Sequence, residues 1–573
     1  MLRRLVFSSL FTLLAVPVFA QSGVDMSGMP TLPISQPIAG RLIVVYRRPV
    51  VPANADVLAR IAGARTLRHF AHLGMTALSV GPADEARALA TLSANPQVAL
   101  VVHDRYVTAS TLLLNRLPVA TALDAGDGTN SRLDTSVPVT RQSVMRAPIK
   151  PRSAGGSPIG TAPNSSTGTE TGGTQPSSTS TATAAAPTYD TLYNSPAGWA
   201  VRAAGGYGAN VSGGSASGPW SRTLGAGVRI AILDSGVDAN HPDIAPNLAL
   251  NLSEINQAVL ASPCDDGSPQ DQSGHGTWTA SLAAGALGPD TGNVIGVAPQ
   301  ATILNIKVLQ RMPASGMSDT AAACEAGQPG GLLSWVLQGI DDAVANHADV
   351  IALSLGTLVD ISTGEGAGLK AAFDQATWAA TQAGSVVIAA LGNDDMDLST
   401  GTLVELPAQS RGVLAITAST NPDCAENLTA GATCSPGPVT RPYYSNHYAA
   451  LNAIAAPGGS YPEGPTEANN AAASSGSSGW IMGACSSGLI NTADGLPGAG
   501  DSLGCFNLGH AGYVQAMGTS ASAALAAGAA AILRGSRPDL TAAEIVSILR
   551  SSATVIPTLA EPQLNLAAAL AQP

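Results

Sequence analysis

Three short segments of this chain carry residues that could do nucleophilic chemistry. Asp234 follows residues 228–233, which are apolar except for one arginine. His275 lies between two glycines in SGHGT, and Ser520 opens a long run of Ala, Gly and Leu. A histidine with a pKa of about 6.5 can take a serine proton at neutral pH, and a carboxylate that accepts its other N–H fixes the tautomer. The three residue types therefore predict an acyl-transfer site.

Each of these residues has an ordinary structural interpretation when it is considered alone. Asp-Ser-Gly often only shapes a turn, an isolated histidine often ends a helix, and a serine often caps one. Asn393, after the strand-like residues 385–391, could donate its amide to an oxyanion, but Asn is common at such junctions. The order Asp, His, Ser along the chain is more specific, because other hydrolase folds arrange the same types differently.

This order, with the segments VRIAILDSGVDANHPDI, SGHGTWTAS and GTSASAALAAGAAAIL, resembles the subtilisin-like serine proteases. The resemblance extends from about residue 226 to residue 554. It implies a secreted serine endopeptidase in which Ser520 is the nucleophile, His275 the general base and Asp234 the orienting carboxylate. Asn393 would complete the oxyanion hole together with the backbone of the serine.

The same resemblance implies a binding site for protein or peptide substrates. One set of residues matches the segment on which relatives lay the substrate as an added β-strand, namely Ser354, Leu355 and Gly356. A second set matches a wall of the primary specificity pocket, namely Ala390, Leu391 and Gly392. Plain sheet packing is the alternative for both sets.

A structural calcium site is a further expectation from the resemblance. Asp243 and residues 289–297 match a subtilase calcium site, in which Asp243 and Asp290 would supply carboxylate oxygens. Simple solvation of acidic loop residues is the alternative. No catalytic cofactor is expected.

Strand-like and helix-like segments alternate along the last two-thirds of the chain. They are residues 302–308, 332–346, 350–355, 368–383, 385–391, 412–418 and 520–533. Such alternation predicts an α/β fold with a doubly wound, mostly parallel sheet. Thr541 and Glu544 form a capping-box signature for a further helix.

The beginning of the chain predicts export. Residues 1–20 carry Arg3 and Arg4, an apolar stretch and a small-residue end, which are typical of a signal peptide cleaved before Gln21. Residues 21–40 form a short leader. No later segment reaches the ~18 consecutive apolar residues of a membrane span. We expect an extracellular protein, with the periplasm as the alternative.

Residues 41–107 predict a small α+β unit that precedes the hydrolase. Its pattern is strand, helix, strand, helix and strand at residues 41–46, 55–62, 75–80, 83–92 and 98–103. It resembles the inhibitor-like pro-region of subtilases, so the chain would carry its own inhibitor; a small α+β domain of another kind is the alternative. Residues 108–190, rich in Ser, Thr, Gly and Pro, predict a linker, and residues 191–573 the peptidase domain.

All six cysteines lie in the predicted peptidase domain. In an exported chain this favours disulfides, and the absence of CxxC or Cys/His spacing argues against a metal site. Many connectivities are open. Pairing of neighbours is the simplest: Cys264 with Cys324, Cys424 with Cys434, and Cys485 with Cys505.

Composition limits the other classes of function. A net charge of −12 with 12% charged residues offers no basic patch for nucleic acid. A catalytically inactive subtilase fold that serves as a binding module is one rival, but all four catalytic positions are filled. An esterase is the rival within enzymes, and the chain order and the substrate-edge motif argue against it.

Overall fold

The computed structural model describes residues 37–109, 113–114, 193, 198–208, 218–287, 294–421, 438–448, 453–460, 479–489, 506–507 and 511–573. The predicted signal peptide, most of the predicted leader and most of the predicted linker lie outside these residues, as do Asp290, Cys424, Cys434 and Cys505.

The described strands and helices alternate along the chain. The strands are β1 (Pro37–Tyr46), β2 (Ala64–Phe70), β3 (Met75–Val80), β4 (Val98–Ala109), β5 (Leu113–Leu114), β6 (Arg229–Asp234), β7 (Leu248–Ser253), β8 (Thr302–Lys307), β9 (Leu309–Met312), β10 (Gln328–Leu332), β11 (Val350–Leu353), β12 (Leu355–Asp360), β13 (Val386–Ala390), β14 (Leu403–Leu406), β15 (Val413–Ser419), β16 (Ala453–Pro457), β17 (Ile481–Ala484), β18 (Phe506–Asn507) and β19 (Gly512–Met517). The α-helices are α1 (Ala55–Ile61), α2 (Glu85–Ser93), α3 (Trp199–Ala203), α4 (His275–Ala284), α5 (Thr320–Glu325), α6 (Leu333–Ala345), α7 (Gly364–Gln382), α8 (Thr519–Ser536), α9 (Ala542–Ser551) and α10 (Leu566–Ala571). None of the described helices is long and apolar enough to cross a membrane.

A seven-stranded sheet forms the centre of the larger unit, in the order β16-β15-β13-β11-β6-β8-β7, with every pair parallel. Side chains alternate between its faces. Ile230 and Ile232 of β6 pack in the same core as α8, whereas Ala231 and Leu233 pack in the core that contains α6 and α7. Helices therefore cover both faces, which confirms the predicted doubly wound α/β fold.

Small side chains bring helices α8 and α4 close together. Helix α8 is composed largely of Ala and Gly, and its residues from Thr519 to Arg534 are buried. A Cβ atom on Gly528 would lie 2.6 Å from the carbonyl oxygen of Ala283 in α4. Because no side chain separates the backbones, the first turns of the two helices are held at the same end of the sheet.

The N-terminal unit (residues 37–109) is an antiparallel sheet with two helices on one face. Its strands lie in the order β4-β1-β3-β2, and Leu42, Leu78 and Leu92 are part of the core between sheet and helices. The sequence analysis did not find β2, because Arg65 and Arg68 obscure its apolar pattern.

Strand β4 belongs to both units. It continues to Ala109, past the expected end of the pro-region at residue 107, and its last residues pair with β10 and β12. Strand β5 also lies within residues 108–190, where we predicted a linker, and pairs with β19. The N-terminal sheet is thereby extended through β12 to β14.

Helix ends follow their capping residues. The expected helix at residues 368–383 begins earlier, at Gly364, because the Thr363 hydroxyl accepts a hydrogen bond from Gly366 N and caps it. The capping box of Thr541 and Glu544 at the start of α9 is confirmed.

One predicted disulfide is confirmed within the described residues. Cys264 and Cys324 are bonded, with their Cα atoms 5.3 Å apart. Cys485 is also disulfide-bonded, and its partner lies outside the described residues. The first bridge ties the loop after β7 to helix α5.

Removal of this bridge should destabilise the larger unit. Its cysteines are 60 residues apart in sequence, so its loss frees a long loop in the unfolded chain and should lower the free energy of unfolding by about 2–4 kcal/mol. The variant Cys264→Ala/Cys324→Ala, made together with Ser520→Ala to prevent self-digestion, can be compared with Ser520→Ala alone by denaturant unfolding. Equal free energies would contradict the prediction.

Candidate active site

Asp234 is the last residue of β6 and lies at the carboxyl edge of the parallel sheet, where open α/β sheets place their ligands. Its side chain is fully buried. Oδ1 lies 2.6 Å from His275 Nδ1 and accepts Ser235 N at 2.7 Å, and Oδ2 accepts the hydroxyl of Thr279 at 3.0 Å. These donors compensate for the burial of the carboxylate.

His275 is the first residue of α4 and is fully buried. Because the Asp234 carboxylate only accepts hydrogen bonds, Nδ1 carries the proton. Nε2, 3.0 Å from Ser520 Oγ, is then the acceptor for the serine hydroxyl. The close approach of α4 to β6 requires Gly276, since a Cβ atom there would lie 2.1 Å from the carbonyl oxygen of Gly236.

Asp271 is a positioning residue that the sequence analysis missed. It is fully buried, and burial raises its pKa. One oxygen accepts Ser235 Oγ, Ser273 N and Gly274 N, and the other accepts the backbone and hydroxyl of Thr277, all at 2.7–2.9 Å. Asp271 thus fixes the backbone on both sides of the histidine. Its signal in the sequence is an acidic residue shortly before SGHGT.

Ser520 is the second residue of α8 and is fully buried. Its hydroxyl also lies 3.4 Å from Ser354 O, and the Ser354 hydroxyl donates to Ser520 O at 3.1 Å. Backbone N–H groups in the first turn of a helix have no partner within the helix and point along the positive end of its dipole. The N–H of Ser520 is therefore suited to a developing oxyanion.

Asn393 follows β13 and contacts the start of α8. Its Oδ1 accepts the backbone N and the hydroxyl of Thr519, both at 2.9 Å. A Cβ atom on Gly518 would lie 3.2 Å from Asn393 Nδ2. The amide oxygen is thus committed to Thr519, and the amide nitrogen faces the turn that carries the serine.

Residues 106–109 of β4 lie between β10 and β12, in a position that we call the strand slot. Thr108 and Ala109 pair antiparallel with Gly356 and Leu355, and Thr108 pairs on its other side with Gly330. Two of the three residues expected at the substrate edge are thus paired with an extended segment. Strand β10 was not anticipated, because its two glycines and proline do not resemble a strand.

Strand β5 pairs with the strand that leads into the serine. Leu113 of β5 pairs with Met517, three residues before Ser520, and Leu114 pairs with Ala516. The chain is thus paired both with β10 and β12 and with β19, which precedes helix α8.

The expected pocket wall at Ala390, Leu391 and Gly392 is the end of β13 and the turn that follows it. Asn446 holds this turn, with Nδ2 donating to Leu391 O at 2.9 Å and Oδ1 accepting Asp394 N at 3.0 Å. Gly392 has a φ of 102°, which favours glycine. Asp394 is exposed at this turn, and partial desolvation of its carboxyl group raises its pKa.

The described part of the expected calcium site is Asp243. Its side chain is fully buried, Oδ2 accepts Val294 N at 3.2 Å and Oδ1 accepts the hydroxyl of Tyr513 at 3.5 Å. The second expected ligand, Asp290, lies outside the described residues. Among the residues that are described, no three His, Cys, Asp or Glu side chains form a metal-binding group. Calcium binding at Asp243 therefore stays a prediction.

Comparison with known proteins shows that this chain is similar in sequence to subtilases. The subtilase family pattern matches residues 225–567. Subtilisin E of Bacillus subtilis is 34% identical over 192 residues, which are 34% of this chain and 41% of subtilisin E. Thermitase of Thermoactinomyces vulgaris is 36% identical over 174 residues, which are 30% of this chain and 50% of thermitase. The chain thus spans half or less of the length of these relatives.

Two solved structures share the fold. Fervidolysin from Fervidobacterium pennivorans, a keratinolytic enzyme, matches with a TM-score of 0.54 and 18% identity over 94% of this chain and 61% of its own. The epidermin leader peptide processing serine protease EpiP from Staphylococcus aureus matches with a TM-score of 0.54 and 16% identity over 92% of this chain and 97% of its own. By its sequence pattern and its fold, this chain belongs to the subtilase family.

Proposed function

We propose that this chain is the precursor of an exported serine endopeptidase that hydrolyses peptide bonds through an acyl-enzyme. The observation that carries the proposal is the chain of contacts from Asp234 through His275 to Ser520, with distances of 2.6 and 3.0 Å. Membership in the subtilase family supports it.

The proposed reaction uses each of these groups in turn. His275 Nε2 takes the hydroxyl proton while Ser520 Oγ attacks the carbonyl carbon of the substrate. The negative charge on the carbonyl oxygen is stabilised by the N–H of Ser520 and by Asn393 Nδ2. When the C–N bond breaks, His275 gives the proton to the leaving amine. Water, deprotonated by the same histidine, then hydrolyses the acyl-enzyme and restores the serine.

The strand slot favours a peptide bond over a simple ester as the substrate. Backbone groups of β10 and β12 bind an extended chain from both sides, as shown by the pairing of residues 106–109. Main-chain hydrogen bonds of this kind recognise peptides with little dependence on sequence. An esterase has no need of such a site, and a binding module has no need of the catalytic contacts.

Ser520→Ala should abolish activity without preventing folding, because the methyl group fits a site already filled by the serine. We expect no casein hydrolysis and no labelling by a fluorophosphonate. The control is Ser551→Ala on the surface of α9, which should leave both signals unchanged. Casein hydrolysis by Ser520→Ala at the parent rate would refute the assignment of the nucleophile.

Asn393→Ala should lower kcat by roughly 10²- to 10³-fold with a smaller effect on KM, since its amide meets charge that exists only in the transition state. Steady-state kinetics on a chromogenic peptide measure both constants. An equal loss in substrate binding would instead indicate that Asn393 holds the ground state, or supports the turn through its bonds to Thr519.

We also propose that the N-terminal unit is the inhibitor of the enzyme. Its β4 occupies the strand slot, so a substrate cannot enter until it leaves. Asp104 of β4 binds the start of α6, accepting the Ser334 backbone N at 2.9 Å and its hydroxyl at 2.6 Å. A carboxylate at the positive end of a helix is stabilising, and Arg41 pairs with the same carboxylate at 2.9 Å.

Two further contacts support this docking. Asp341 of α6 accepts the backbone N of Ala71 and of His72 at 3.2 and 2.7 Å. Arg105 pairs with Glu365 in the first turn of α7 at 3.0 Å. Polar contacts at both helices, together with the shared sheet, hold the N-terminal unit over the catalytic residues.

Maturation should therefore require cleavage between about Val107 and Asn194. N-terminal sequencing of the parent and of Ser520→Ala identifies the cut and its origin. We expect the active parent to begin within this range and purified Ser520→Ala to remain intact. An uncut parent with full activity, or identical processing of both purified proteins, would contradict self-inhibition and self-processing.

A further inference from the structure

Glu405 of β14 is a buried carboxylic acid that the proposed reaction does not use. Its side chain is only 4% exposed. Within the described part of the chain, no hydrogen-bond donor or cation contacts its carboxylate, and burial raises its pKa well above the usual range. Burial of a carboxyl group without a hydrogen-bond partner lowers the stability of the fold, so the position of Glu405 suggests a functional role.

The carboxylate of Glu405 lies against the wall of the strand slot. Strand β14 pairs with β12, and a Cβ atom on Gly356 would lie 1.9 Å from Glu405 Oε1. Gly356 is the residue opposite Thr108 in the slot. Because Gly356 has no side chain, the Glu405 carboxylate can occupy the space where a Cβ atom would stand. Any larger residue at position 356 would displace the carboxylate.

Asp394 brings a second carboxylate to the opposite wall. A Cβ atom on Gly392 would lie 3.3 Å from Asp394 Oδ2, and Asn446 Nδ2 also lies 3.3 Å from that oxygen. The negative charge of Asp394 further raises the pKa of Glu405. Glu405 is buried and Asp394 is exposed, and within the described residues no cation pairs with either carboxylate, so this region is complementary to a positive charge.

The register of the slot places a substrate side chain in this region. Ala109 pairs with Leu355, so the next residue of a bound peptide reaches Ser354, whose carbonyl oxygen lies 3.4 Å from Ser520 Oγ. In the proposed reaction that residue would precede the scissile bond, and its side chain would enter between the walls that end in Gly356 and Gly392.

We propose that Glu405 and Asp394 form the acidic base of the primary specificity pocket and that the enzyme cleaves after Lys and Arg. This inference rests on the proposed endopeptidase function. An apolar stem packs between the two walls, and the ammonium or guanidinium group donates to the carboxylates.

The test compares matched peptide p-nitroanilides that differ only in having Arg, Lys or Leu before the scissile bond. We expect the processed parent to prefer Arg and Lys in kcat/KM. Glu405→Gln, which keeps the size of the side chain, should lower the Arg-to-Leu ratio by about 10²-fold, because it removes one partner of a buried charge pair. Asp394→Asn should lower the same ratio.

A control separates charge at the pocket from charge elsewhere. Asp539→Asn removes an exposed carboxylate in the turn between α8 and α9 and should leave the ratio unchanged. Labelling with a fluorophosphonate counts correctly folded active sites in every variant. A Leu rate that persists in Glu405→Gln while the Arg rate falls supports the inference.

Other outcomes would overturn it. If the parent prefers Leu, or if Glu405→Gln and Asp394→Asn both keep the parent ratio while still hydrolysing both substrates, the acidic pocket does not select the substrate although the proposed function stands. If the parent hydrolyses none of the peptides and no casein after processing, the proposed function fails and this inference fails with it.

Discussion

The contact between Asp234 and His275 joins two fully buried groups. The surrounding residues supply the hydrogen bonds that offset the free-energy cost of this burial. A carboxylate without exposure is stable only when donors surround it. Here they come from the histidine, from the backbone after β6 and from Thr279 in α4. This arrangement forces α4 to begin directly against the end of β6, which only a glycine at position 276 permits. Asp271 then fixes the intervening loop and the start of α4 by accepting five hydrogen bonds.

The position of Ser520, the proposed nucleophile, depends on the same kind of close approach, made by a different helix. Helix α8 consists of small residues, so it packs against α4 and beneath the parallel sheet without side chains to keep it away. Its first turn is tied to Asn393 through Thr519. The serine, the amide and the histidine thus come from three segments whose relative positions are set by backbone packing rather than by long side chains.

Local signals in the sequence were sufficient to predict the parallel sheet, and the four residues that they singled out for catalysis lie close together in the structure. Residues 228–233 and 350–355 are apolar runs of the length expected for buried strands, and the motifs around His275 and Ser520 are short and specific. Features that depend on contacts between residues far apart in the sequence could not be predicted from local sequence patterns. Strand β10 exists because β4 and β9 pair with it, although its own sequence favours a turn.

Asp271 and Glu405 were missed for the same reason. An acidic residue in a loop or a short strand ordinarily predicts solvation, and nothing local indicates that five donors converge on the first or that Gly356 makes room for the second. Strand β2 was hidden by its two arginines, whose charged groups lie at the surface while the strand itself pairs with β3. Boundaries of the N-terminal unit and the remaining disulfides stay predictions.

For the proposed protease, the strand slot has a further consequence for which proteins it would digest after departure of β4. Strands β10 and β12 both offer backbone hydrogen-bonding groups. A substrate segment that replaces β4 must therefore supply several consecutive residues whose own backbone groups are not already paired. Chains inside a folded domain rarely satisfy this condition, because their backbone groups are already paired. Susceptibility of a target should then follow the free energy of its local opening rather than the abundance of suitable side chains on its surface. Native proteins with few such openings would be spared while damaged or partly unfolded neighbours are consumed.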